Sequence, residues 1–110
     1  MIEILSMDFE ISRVIGSDHP SLPGHFPDAP IVPGVVILDE VLTVLPKWRA
    51  KSAVRAISAV KFLIPLKPDQ PFTISFRRRI DNEVDFSCCV QDRVIVEGRL
   101  LVDSDPSCLS

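Results

Sequence analysis

A histidine, an acid and a helix-opening glycine fall within one short stretch, Gly24-His25-Phe26-Pro27-Asp28-Ala29-Pro30-Ile31-Val32-Pro33-Gly34-Val35-Val36-Ile37-Leu38-Asp39. Prolines at 20, 23, 27, 30 and 33 run through it. Each fixes φ and removes a backbone donor, so the segment is neither helix nor interior strand. Phe26, Ile31 and Val32 give it apolar anchors, which predicts an ordered loop that holds His25 in place. Gly34 then opens an apolar run, and the first amides of a helix there can hold a carbonyl oxygen or an anion. Asp39 follows five residues on, about 7–8 Å along a helix axis. An acid embedded in so apolar a helix would resist ionisation. A neutral imidazole, a protonated acid and an N–H donor together suit elimination beside a thioester. The plainer reading, a surface histidine and a solvent-facing helical acid, is left open by the residue types alone.

The elements that must position these groups follow from periodicity. Phe9-Glu10-Ile11-Ser12 alternates as a half-buried strand. The length of the run from Gly34 to Leu45 favours helix while its valines favour strand, and propensity alone does not decide. A helix so apolar would need burial on nearly every side, and Pro46 marks where it should stop or kink. From Ala53 to Ile64 the chain is rich in β-branched residues, and a turn spans Pro65 to Asp69. Phe72 to Phe76, Val84 to Val90 and Val94 to Val102 read as further strands, with turns at Asp81 to Glu83 and Gln91 to Arg93. One helix followed by an antiparallel meander predicts an α+β domain over residues 1–103, with 104–110 a solvated tail.

Composition bounds the function. At 110 residues the chain is one domain, small enough that a second copy of itself is a plausible source of extra core. Its longest apolar run, Val32 to Leu38, is far below the roughly 20 residues of a membrane helix. The acidic start, Met1-Ile2-Glu3-Ile4, is unlike a signal peptide. Three cysteines, two of them the adjacent Cys88 and Cys89, make neither a disulfide framework nor a zinc site. A reducing cytoplasm is therefore expected. The net charge of −3 is uneven: from Lys47 to Arg79 lie nine basic residues and one acid. That block could meet an acidic partner or simply interleave with acids from elsewhere in the fold. A sequence pI near 5.2 and the lack of an aromatic-basic motif argue against nucleic acid.

The sixteen residues Gly24 to Asp39 resemble the signature of the FabA/FabZ-type 3-hydroxyacyl-acyl-carrier-protein dehydratases. That pattern runs Gly-His-Phe-Pro, Pro, Pro-Gly-Val, then Leu followed by an acid, and the separation of fourteen from His25 to Asp39 fits it. Weaker similarity continues through Val60-Lys61-Phe62 and the later strands. The short length and the Asp39-Glu40 pair most resemble the small stand-alone, ApeI-like dehydratases associated with aryl polyene pathways. The resemblance implies a hot-dog fold, a curved antiparallel sheet around a central helix. It also implies a homodimer, or an assembly of dimers, with active sites at the subunit interface.

Carried over by motif position, His25 would remove the α-proton of a 3-hydroxyacyl thioester and Asp39 would protonate the departing hydroxyl. Gly34, with Val35 beside it, would hold the thioester oxygen, and the Ile31 carbonyl would orient the imidazole. No metal or organic cofactor is implied, since the acyl group arrives on the phosphopantetheine arm of acyl carrier protein. The reaction would serve fatty-acid, aryl-polyene or related acyl-chain synthesis. Glu40, about 100° further round a helix, is the alternative acid. Thr43 stands where many members have glutamine, and the stretch from Asp39 to Phe62 is shorter than theirs. Arg77 and Arg79, on one face of a strand, are candidates for docking an acidic carrier. His19 reads as a loop residue, Trp48 as a packing anchor and Cys88 and Cys89 as strand residues. Competing functions are a hot-dog thioesterase and a non-catalytic acyl- or carrier-binding subunit.

Overall fold

The computed structural model describes residues 9–16, 31–48, 53–79 and 82–103. Its elements are β1 (Phe9–Arg13), α1 (Gly34–Trp48), β2 (Val54–Phe62), β3 (Phe72–Arg78), β4 (Glu83–Val90) and β5 (Arg93–Val102). The strands form one sheet in the order β1-β3-β4-β5-β2, every pair antiparallel. Between β1 at one edge and β2 at the other the chain passes through α1, so the sheet closes around the helix. This is the expected α+β hot-dog arrangement.

Alternation sets the core. Phe72, Ile74 and Phe76 of β3 and Val84, Phe86 and Cys88 of β4 point inward, with Leu100 and Val102 of β5. A register shift opposite Cys88 and Cys89 lets β5 bury both Ile95 and Val96. The Ile95 carbonyl then accepts from the amides of Leu63 and Ile64, which anchors the chain leaving β2. Two tight turns rest on positive φ at Asp69 (67°) and Gln91 (57°).

In α1 the buried residues are Val36, Ile37, Val41, Val44 and Leu45, a single stripe at helical spacing. Two expectations need correction here. The helix does not stop at Pro46 but runs two residues further, to Trp48. Pro46 removes the amide that would donate to the Leu42 carbonyl, a local penalty of one hydrogen bond in the last turns of the helix. Trp48 holds the end down by stacking on Phe76 (5.6 Å, 4°) and Phe9 (6.4 Å, 22°). Nor is the helix buried on nearly every side: Val35 is 71% exposed, and Asp39 and Thr43 are exposed on the same stripe. One sheet covers one face only. Among the described residues no helix is long and apolar enough to cross a membrane.

Candidate active site

Pro33 begins the site. Its carbonyl accepts the amides of Val36 (3.0 Å) and Ile37 (3.4 Å), closing the first turn of α1. The helix itself supplies no carbonyl to the two preceding amides, those of Gly34 and Val35. Just upstream, the Val32 amide donates to the Leu66 carbonyl (2.8 Å), which ties the end of the proline-rich loop to the 65–69 turn. Ile31 precedes that tie and is 54% exposed. At Gly34 a side chain would collide with Phe62, since a Cβ would lie 2.7 Å from the ring. The half-exposed Phe62 therefore lies against the start of the helix. It is a neighbour that the sequence marked only through the Val60-Lys61-Phe62 similarity.

Asp39 lies on the outer stripe, one turn beyond Val35. Its backbone carbonyl accepts the Thr43 hydroxyl (2.7 Å), and its side chain is exposed. Sequence reading embedded this acid in apolar surroundings. The folded chain turns the apolar stripe inward and leaves Asp39 on the other side. Glu40, one helical step away, is differently placed. Its Oε1 accepts from Nε (3.3 Å) and Nη2 (3.0 Å) of Arg13, and Oε2 lies 3.5 Å from the same Nη2. Both side chains are partly buried, with 34% exposure for Arg13 and 19% for Glu40. This pair ties β1 to α1, and sequence reasoning missed it because no local pattern links residues 27 apart. The adjacent acids thus divide, one outward and one engaged with the sheet.

His25 and His19 lie outside the described residues, as does the 104–110 tail. Arg77 and Arg79 do share one side of the sheet, opposite to α1, and both reach Asp85 (3.6 and 3.1 Å). Arg79 also pairs with Glu83 (3.3 Å), and Arg99 reaches Asp85 from β5 (3.0 Å). Partial burial works against the Asp85 charge, but the hydrogen bonds from Arg99 and Arg79 outweigh it and hold the carboxyl below its usual range. The Arg79 guanidinium is correspondingly raised, first by its hydrogen bond to Asp85. Three of the nine basic residues of the block are thus paired with acids from outside it: Arg77 and Arg79, and Arg55 with Asp103 (3.3 Å). Cys88 is buried, and desolvation pushes its thiol up to about 12; burial also raises the half-buried Cys89. Among the described residues no three His, Cys, Asp or Glu side chains are placed to hold a metal.

A sequence model of the ApeI-like family, described as ApeI dehydratase, matches residues 5–99. The chain is 29% identical to the 3-hydroxyacyl-[acyl-carrier-protein] dehydratase FabZ of Chlamydia abortus, over 89% of this chain and 76% of that protein. Among solved structures it is similar to the dehydratase heterocomplex ApeI:P from Xenorhabdus doucetiae (TM-score 0.74, 21% identity, 86% of each chain). It is also similar to a probable thioesterase from Bartonella henselae (TM-score 0.66, 12% identity, 92% of this chain and 94% of that one). The fold is therefore shared by proteins named for different reactions.

Proposed function

The chain belongs to the ApeI-like dehydratase family, and from that premise we propose that it removes water from a 3-hydroxyacyl thioester on acyl carrier protein. The product is a trans-2-enoyl thioester, made for fatty-acid, aryl-polyene or related acyl-chain synthesis in the cytoplasm. The observation that carries this reading is Asp39 itself: an exposed acid on α1, about 7–8 Å beyond the Gly34 amide and fourteen residues after His25.

In the proposed reaction the His25 imidazole takes the α-proton. The electron pair of that C–H bond forms the C2–C3 double bond while the C3–O bond breaks. The Asp39 carboxyl gives the departing oxygen its proton, and water leaves. Negative charge on the thioester oxygen falls to the Gly34 amide, with that of Val35 beside it. The Ile31 carbonyl orients the imidazole, and Glu40, engaged by Arg13, is the weaker candidate for the acid. No metal or organic cofactor takes part beyond the phosphopantetheine of the carrier. Arg77 and Arg79 would receive an acidic carrier only in competition with Asp85 and Glu83. His25 of one subunit would meet Asp39 of another in a homodimer, and the exposure of Asp39 in the single chain supports that arrangement.

The test is incubation of the purified protein with 3-hydroxyacyl-carrier proteins of several chain lengths, following loss of water by mass. Wild-type turnover should fall at least about 100-fold in both His25→Ala and Asp39→Asn. No turnover at any chain length from a folded protein would refute the dehydratase reading and favour a non-catalytic binding subunit. Release of free acid instead of enoyl product would favour a thioesterase.

A further inference from the structure

Asp39 has no side-chain anchor of its own in the described chain; what fixes its direction is the rotation of α1 about its axis. The inward stripe of Val36, Ile37, Val41, Val44 and Leu45 buries apolar surface against the sheet. Apolar burial is non-directional, and cores of the right volume keep stability more readily than a unique arrangement. A rotation of about 20° would move a group roughly 6 Å off the axis by about 2 Å. A misplacement of about 1 Å can cost a hundredfold in rate. The directional contact beside Asp39 is the fork from Arg13 to Glu40.

Arg13 is itself well founded. It closes β1, where its partner in register is the buried Phe72 of β3. Two residues on, the Ile15 carbonyl accepts the Asp69 amide (2.8 Å) and secures the same end of the strand. Its guanidinium therefore reaches α1 from a fixed base, and two donors of one planar group converging on Oε1 set angle as well as distance.

We infer that Arg13 is a positioning residue for Asp39, acting through Glu40 to fix the rotation of α1. This rests on the dehydratase reading above, with Asp39 as the acid. Glu40 is then no spare proton donor but the handle by which the sheet holds the helix.

The experiment measures kcat and KM for dehydration in Arg13→Ala, Glu40→Ala, the double variant and the exchanged pair Arg13→Glu/Glu40→Arg, with melting temperatures alongside. Each single alanine variant should lose about 10- to 100-fold in kcat with KM changed less than about threefold. The double variant should be no worse than either, because both remove one interaction. The exchanged pair should recover at least part of kcat, and Arg13→Lys, which keeps the charge without the fork, should fall between. Should Arg13→Ala fail to fold, Arg13→Lys and the exchanged pair carry the test. Additive losses that follow melting temperature would reduce the pair to stability alone and overturn the inference. Near-wild-type kcat in Arg13→Ala would also overturn it while leaving the dehydratase intact. If Glu40→Ala abolishes turnover and Asp39→Asn does not, Glu40 is the acid and the assignment is wrong. An inactive wild type would remove the reaction and the inference together.

Discussion

Asp85 accepts from Arg79 and Arg99 and has Arg77 at 3.6 Å, so one carboxylate gathers three cations on the outer face of the sheet and offsets their mutual repulsion. Its folded affinity for protons is below that of an unfolded aspartate, so it stabilises the fold above the unfolded value of about 3.9. That contribution fades as pH falls through the lower folded value. Asp85→Asn should cost about 1 kcal/mol at neutral pH, at the modest end because the guanidiniums are a third or more exposed. It should also flatten the fall in melting temperature from about pH 4 downward. An unchanged acid limb would show that Asp85 is not part of it. Cys88 offers a second check at this scale. With its thiol pushed up to about 12 and its side chain buried, it should resist a thiol reagent at about pH 8 until the chain unfolds. Peptide mapping after a timed pulse reads this directly, and rapid native labelling of Cys88 would contradict the burial.

At the scale of elements the two glycines in β5 and α1 make different demands. A Cβ at Gly98 would lie 2.5 Å from the Ala59 carbonyl and 2.7 Å from the Phe86 ring, next to the register shift between Ile57 and Ala59. Backbone on one side and a buried ring on the other cannot both give way. Gly98→Ala should therefore cost about 1–3 kcal/mol and lower the melting temperature by several degrees. Gly34→Ala meets only the half-exposed Phe62 ring, which can swing outward, and alanine favours the helix. Its cost should stay below about 1 kcal/mol in a thermal melt. These contrasts also show what the sequence could and could not reveal. Alternation in Phe72 to Phe76 and Val84 to Val90 located β3 and β4 because inward and outward side chains differ in kind. The helix start was legible at Pro33-Gly34, where ring and glycine each act locally. Pro46 misled because its local penalty is outweighed by Trp48 packing on Phe76 and Phe9, contacts across the fold. Motif spacing singles out Asp39 as a candidate, whereas its exposure was not legible, since neighbours in sequence do not say which face the sheet covers. The Arg13–Glu40 pair had no local signal at all.

At the scale of the whole molecule, Ile31, Val35 and Phe62 leave apolar surface open at the start of α1 among the described residues. Val35, Ile31, Phe62, Leu63 and Ile57 are large apolar residues left 38–71% exposed, and β2 is an edge strand exposed along most of its length. A small domain gains core by covering such surfaces, and an edge strand can pair with another chain. The proposed homodimer should therefore sediment at twice 12.2 kDa at micromolar concentration, with a melting temperature that rises with protein concentration. Its catalytic consequence can be read without a structure of the complex. If His25 of one subunit serves Asp39 of the other, mixing inactive His25→Ala with inactive Asp39→Asn and allowing exchange produces mixed dimers. In each of these one site carries both defects and the other carries none. Random exchange puts half the dimers in that class, so activity should return to about a quarter of wild type. If both groups act within one chain, every site keeps one defect and mixing restores nothing. Recovery near a quarter would establish that the site is shared. No recovery from subunits shown by mass to have exchanged would return both residues to a single chain.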